Sequence, residues 1–276
     1  YEQLCKTHAD FVVSCGSSVA PINCIFSYET SARSIAILKP SILSLKKFDM
    51  VILPRHDTPP ERDNIVVTEG SLNVIDKEYL SEQSRQLTNR YPNFQVNKRD
   101  KLGLLLGGNT KNYCLSSKAM DTVLSEIKRV AQDLGLEMLA TTSRRTPREI
   151  DELIKKELKA FPPCKLLVIA NENNIPEAVG SILNFSKIVI VSSDSISMIS
   201  EAASSGKYVI VFNGSNIAPN RRHEKFLTSL SQRKYIYWID DVHSIASTIK
   251  DIYRAQPKVK TLNDFETVRK ALHKIL

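Results

Sequence analysis

No run of apolar residues in this 276-residue chain approaches the roughly 18 needed to cross a bilayer, so "LLVIA" and "IVIV" read as buried strands. No GxGxxG follows any apolar run and no Tyr-x-x-x-Lys stands on a suitable helix, which excludes an NAD-dependent epimerase of the dinucleotide-binding type. The cysteines are few, odd in number and scattered (Cys5, Cys15, Cys24, Cys114, Cys164). None is in CxxC spacing, so no zinc site and no disulfide framework is expected; reduced thiols point to a cytosol-facing protein. Internal repeats and low-complexity tracts are lacking. The chain opens on Tyr1 rather than Met, with no signal-like stretch, and a leading segment is expected to be missing.

What is present is an ordinary globular composition, 42% hydrophobic and 25% charged, with length enough for two domains. Thirty-eight basic against thirty acidic residues leave +8, a balance that favours phosphates or an anionic membrane surface. The same balance fits a merely soluble basic surface, because the Lys and Arg residues are spread rather than blocked; nucleic acid is not expected as a partner.

Short apolar runs alternate with amphipathic stretches, the rhythm of parallel strands covered by helices. Strands are expected at "DFVVSC" (10–15), "SIAIL" (34–38), "DMVIL" (49–53) and "NIVVT" (64–68), then a helix at 76–87 and a polar linker at 88–101. The rhythm restarts at "LGLLLGG" (102–108) and continues through "KLLVIA" (165–170), "KIVIVS" (187–192) and "KYVIVF" (207–212). Thr146 is expected to cap a helix with Pro147 at its first position and Glu149 closing a capping box. The expected fold is α/β with two Rossmann-like, doubly wound domains facing a cleft, the first of them incomplete. Their bounds are 1–97 and 98–260, and a last helix in 261–276 returns to the N-terminal domain.

Three expected strand ends carry residues suited to anions. "IVIVSSDSISMISEAASSG" places Ser193, Asp194, Ser195 and Ser197 where a strand ends and a helix begins, so that hydroxyls and free N–H groups face an anion, with Glu201 two turns in and able to accept from a diol. Alone, this fits a capped helix with a solvated glutamate equally well. "LLLGGNTKNY" offers Gly107 and Gly108 for close backbone approach and donors on Asn109, Thr110 and Lys111. "TTSRRTP" adds Arg144 and Arg145, whose guanidinium geometry matches phosphate. Three such ends in one domain favour a shared phosphate site. For acid–base work the best pair is His56 and Asp57, although adjacent residues rarely point the same way; a turn histidine explains His56 as well. His223 in "RRHEKF" is a second candidate.

"LPRHD" (53–57), "GGNTKNY" (107–113), "TSRRTP" (142–147) and "SDSISMISEA" (193–202) resemble, in order, motifs of the mitochondrial-fission "elongated mitochondria" family of plant proteins and bacterial homologues. The C-terminal half also looks like the donor domain of GT-B glycosyltransferases. There a Ser/Gly-rich turn holds the diphosphate of a nucleotide sugar and a helix glutamate holds the ribose; the matching positions here are Ser193 to Ser197 and Glu201. The resemblance implies a nucleoside-diphosphate sugar as donor substrate, no separate cofactor, and a glycosyltransferase acting on a lipid-linked or envelope acceptor. The plant side of the family implies instead a non-catalytic adaptor at a membrane surface, the bacterial inner membrane or the cytosolic face of mitochondria, recruiting dynamin-like machinery. Ser17 and Tyr208 depart from the family's usual arginine and proline, and no glycine-rich acceptor-side loop precedes residue 10.

Overall fold

The structure, a computed structural model, describes residues 8–92, 94, 97–215, 217 and 220–275. The chain divides into two compact units, residues 1–72 with 263–276, and residues 73–262.

Unit 1 holds a four-stranded parallel sheet in the order β1 (Phe11–Cys15), β2 (Arg33–Ile37), β3 (Met50–Pro54), β4 (Ile65–Thr68). Alternation along these strands makes two apolar faces. Ala36, Val51 and Leu53 pack towards α1 (Ala20–Thr30), while Ile35, Met50 and Ile52 pack against Val268, Ala271 and Leu272 of the last helix, α9 (Asp264–Leu272). Two bonds lock α9 in place, with Glu69 N and Gly70 N donating to the buried Asp264 carboxylate at 2.9 and 2.8 Å. Helix α1 has an inverted pattern. It buries Ala20, Asn23 and Ser27 and displays Ile22, Ile25 and Tyr28 at 60, 52 and 88% exposure. Asn23 stitches it to the sheet, its amide donating to Val12 O and Ile35 O at 3.0 and 2.9 Å.

Unit 2 opens with α2 (Lys77–Arg90) and then alternates β5 (Lys101–Leu105), α3 (Ser117–Leu134), β6 (Glu137–Thr141), α4 (Arg148–Leu158), β7 (Cys164–Val168), α5 (Ala178–Phe185), β8 (Ile188–Ser192), α6 (Ile196–Ser204), β9 (Tyr208–Phe212), α7 (Arg221–Gln232), β10 (Tyr237–Ile239) and α8 (Ile245–Ala255). Its six strands are all parallel, in the order β10-β9-β8-β5-β6-β7. Ile188, Ile190, Ile210 and Phe212 face α3, α4 and α8, and Val189, Val191, Val209 and Val211 face α5, α6 and α7. A strand buried on both faces must be apolar at every position, which is why these segments read as unbroken β-branched runs.

The division falls at Leu72/Asn73, not near residue 97. The reason is α2, which lies against α5: Ser181 Oγ donates to Gln83 O (3.0 Å), Asn184 Nδ2 to Ser84 Oγ (2.8 Å), and Arg90 pairs with Glu177 (2.7 Å). A Cβ at Gly180 would stand 2.6 Å from the Gln83 side chain, so glycine is what lets the two helices come this close. The expected linker at 88–101 therefore begins inside a helix; Asn93, Gln95 and Val96 within it lie outside the described residues.

Candidate functional site

From β5 the chain of unit 2 proceeds outward to β6 and β7, then crosses back to β8 on the other side of β5. The connections leaving the adjacent strands β5 and β8 diverge there, which opens a crevice beyond their carboxyl ends; such a switch point is where open parallel sheets bind ligands. The loop after β5 carries Gly107 to Lys111 and the loop after β8 carries Ser193 to Ser195. Arg144 and Arg145 follow β6, the next strand over.

Ser192 to Asp194 form the hub of this edge. The Asp194 carboxylate is fully buried and accepts from Gly108 N (2.9 Å), Ser192 Oγ (2.7 Å) and Arg145 Nη2 (3.0 Å), while Gly107 N donates to Ser192 Oγ at 2.8 Å. The Ser193 carbonyl accepts from His223 Nε2, which fixes the proton on that nitrogen. Tyr113 bonds the Ser193 side chain and accepts from Gly214 N at 3.0 Å; burial, and then the Asp194 charge, hold its hydroxyl far above the ordinary phenol range. The segments after β5, β6 and β9 thus converge on these three residues.

This arrangement corrects several expectations. Gly107 and Gly108 do permit a close approach, but of the protein to itself. A Cβ on Gly107 would lie 2.0 Å from Asp194 Oδ2, and one on Gly108 would lie 2.0 Å from the Arg145 carbonyl oxygen. Asp194 has its oxygens committed internally and Ser193 is buried, so neither presents its side chain to a ligand. Asn109 shapes the loop, donating from its backbone to Arg145 O (3.1 Å) and accepting at Oδ1 from Leu115 N (2.9 Å). Thr110 closes a tight turn, with Asn112 N donating to its hydroxyl at 3.3 Å. Helix α4 starts at Arg148 with Pro147 before it. Thr146 is not its cap: that hydroxyl donates to Gly107 O and accepts from Ser143 N (2.9 Å), tying the loops after β5 and β6 together.

The outer layer matches the sequence reading more closely. Ser195 caps α6, its hydroxyl accepting from Met198 N at 3.4 Å, and Ser197 is exposed in the first turn. Arg144 and Lys111 are exposed cations with no hydrogen bond or ion pair to the described residues. Arg145 is 45% exposed even while paired with Asp194. Glu201, on α6, is half-buried with no bonded partner among the described residues, and burial raises its carboxyl above the ordinary range. Burial likewise lowers the His223 imidazole, with Arg222 adding to it and the Ser193 carbonyl and Asp194 opposing. Ten of the 38 basic and ten of the 30 acidic residues fall in unit 1, which leaves 28 against 20 in unit 2; the whole +8 belongs to the unit with this edge.

His56 and Asp57 belong to unit 1, in a 3-10 turn after β3. The imidazole is 2% exposed and its Nε2 is 3.8 Å from Asp57 Oδ1. Among the described residues no group of three or more His, Cys, Asp or Glu side chains could hold a metal ion, and no helix is long and apolar enough to cross a membrane.

Two parallel α/β units, one with a polar switch point at its strand ends, define a GT-B-like fold of the Rossmann type. The UDP-GlcNAc 2-epimerase of Methanocaldococcus jannaschii, solved in complex with UDP-GlcNAc and UDP, matches with a TM-score of 0.55 at 12% identity, over 99% of this chain and 77% of that one. A glycosyltransferase of Rickettsia africae matches with a TM-score of 0.52 at 12% identity, over 93% and 70%. The chain belongs to the Mitochondrial fission ELM1 family, whose model matches residues 2–275. An uncharacterized protein of Rickettsia prowazekii is 26% identical over 212 residues, 75% of this chain and 55% of its own length. The mitochondrial fission protein ELM1 of Arabidopsis thaliana is 27% identical over 189 residues, 60% of this chain and 42% of its own. The chain spans about half the length of the curated relatives it matches.

Proposed function

We propose that unit 2 binds a nucleoside-diphosphate sugar at the carboxyl edge of its sheet and that the protein transfers the glycosyl group to an acceptor, lipid-linked or of the cell envelope. The observation that carries this reading is the outer layer at the β5/β8 switch point. Arg144, Lys111 and the outer face of Arg145 are cations available to a diphosphate, and the first turn of α6 offers N–H groups at the positive end of a helix. Glu201 is a half-buried carboxylate with no bonded partner among the described residues, which suits the two hydroxyls of a ribose. Neighbours of the same fold that are solved with UDP and UDP-GlcNAc lend support to a uridine donor.

Calorimetric titration of the chain with UDP-, GDP- and CMP-sugars tests the reading. At least one is expected to bind with micromolar affinity and raise the melting temperature; no heat and no shift with any of them overturns it. A second reading, a membrane-surface adaptor recruiting dynamin-like machinery, draws on the outward apolar stripe of α1. It predicts co-sedimentation with anionic vesicles, lost in Ile22→Ser/Ile25→Ser, and no nucleotide binding.

A further inference from the structure

The buried carboxylate of Asp194 sits directly behind the guanidinium that a ligand's phosphate would meet, and it has no room to leave. Gly107 lies so close that even a methyl group there would overlap it, Ser192 Oγ and Gly108 N hold it at 2.7 and 2.9 Å, and Arg145 Nη2 reaches it at 3.0 Å. Arg145 is held from the inside while nearly half of its side chain remains open on the outside. The strand end is therefore not a bare cationic cradle: one negative charge of the protein's own already occupies it.

We propose that Asp194 tunes the charge of the ligand this edge accepts, shifting its selectivity towards a diphosphate esterified at both ends, as in a nucleotide sugar, and away from a free nucleoside diphosphate. The inference rests on the reading of the site given above. A diphosphate diester carries about two negative charges, and a free nucleoside diphosphate gains most of a third at neutral pH because its terminal phosphate ionises again near pH 6. A phosphate oxygen bonded to the outer side of the Arg145 guanidinium stands roughly 6 Å from the Asp194 carboxylate. At an effective dielectric of about 20, one extra charge at that distance weakens binding about a hundredfold, and salt screening reduces this to about tenfold. Arg144, Arg145 and Lys111 attract the additional charge as well, so the absolute affinities are set by all four groups; the share that belongs to Asp194 is a repulsion of the additional charge, and removing the Asp194 charge alone isolates that share.

The same geometry explains how the effect can be isolated. Asparagine matches aspartate in shape: its Oδ1 can still accept from Gly108 N and Arg145, and its amide can donate to Ser192 Oγ, so Asp194→Asn removes the charge and keeps these contacts, although the Ser192 hydroxyl proton loses its acceptor. Wild type and Asp194→Asn are titrated at pH 8 with UDP-GlcNAc and with UDP, and melting temperatures are recorded. The expected result is a shift of about tenfold in the UDP-GlcNAc/UDP affinity ratio towards UDP in the variant, with a lower melting temperature but a single cooperative transition retained. An unchanged ratio overturns the inference while leaving the site itself standing; no binding of either ligand to wild type overturns both. Should Asp194→Asn not fold, Arg145→Gln probes the pair from its exposed side. With the carboxylate left uncompensated, the ratio should move about tenfold the other way, and an unmoved ratio there is equally fatal.

Discussion

Replacing Gly107 by alanine tests the hub most directly. The added Cβ would stand 2.0 and 2.2 Å from the two Asp194 oxygens, so the carboxylate must retreat by more than an ångström to reach ordinary contact. Arg145 can follow it, being half-exposed, but Gly108 N and Ser192 Oγ are fixed at strand ends and cannot. Two buried hydrogen bonds to a charged acceptor are then stretched or broken, each worth about 1.5–3 kcal/mol, and a loss of about 3–5 kcal/mol follows. At about 2–4 °C per kcal/mol for a unit of this size, the melting temperature should fall by roughly 6–20 °C. The assay is urea denaturation of four proteins: wild type, Gly107→Ala, Asp194→Ala and the double variant. With no carboxylate to strike, Gly107→Ala should be nearly neutral in the Asp194→Ala background, giving a coupling of about 3–5 kcal/mol. Equal losses in both backgrounds would refute the reasoning, and so would a loss below about 1 kcal/mol in the wild-type background. Gly135→Ala provides the contrast. That residue ends α3 at φ +64° with open space around it, so only the left-handed backbone resists a side chain, at about 1–2 kcal/mol.

Glu201→Gln should weaken nucleotide-sugar binding by about 1–3 kcal/mol and yet stabilise the protein at neutral pH. The folded carboxyl titrates above its unfolded value of 4.5, so wild-type stability is full below that pH and declines as pH rises through the folded value. The variant escapes this decline, and the melting-temperature gap between the two should open from near zero at pH 4; a gap independent of pH speaks against a desolvated carboxylate. His223 has the opposite sign. Its imidazole titrates below the ordinary 6.5, so stability is complete above that value and is lost as pH falls towards the folded one. His223→Gln keeps a donor for the Ser193 carbonyl and should flatten the stability profile as pH falls below 6.5; matching profiles in the two proteins exclude this role.

Local chemistry made the strands of unit 2 readable, because residues such as Val189 to Val191 and Val209 to Val211 are buried on two faces and so appear as runs. Helix α3 carries the same kind of local signal, with Met120, Val123, Leu124 and Ile127 at three- and four-residue spacing on its buried face. Helix α1 escaped notice because its polar residues point inward, so its periodicity marks no core. The domain boundary was misplaced because the packing of Gln83 on Gly180 joins segments about a hundred residues apart and leaves no trace in either. The site shows the same limit. That Gly107 and Gly108 accommodate something close was evident from their type; that the something is Asp194 and the Arg145 backbone required the strand order β8-β5-β6. Ser193 and Asp194 looked like ligand donors because hydroxyls and carboxylates serve equally as internal fastenings, and only burial separates the two uses.

Unit 1 is assembled from two stretches of chain with all of unit 2 between them. On a ribosome adding about 5–20 residues per second, the intervening 190 or so residues occupy roughly 10–40 s. Throughout that interval the four strands are already made, but Met50 and Ile52 lack the cover that Val268, Ala271 and Leu272 will bring. Unit 2 can fold vectorially as it emerges; unit 1 must wait, its sheet naked on one side, for the final turns of α9 to clear the exit tunnel. Until α9 emerges, that face of unit 1 is the surface a chaperone would cover, and removing residues 263–276 would lay it bare again.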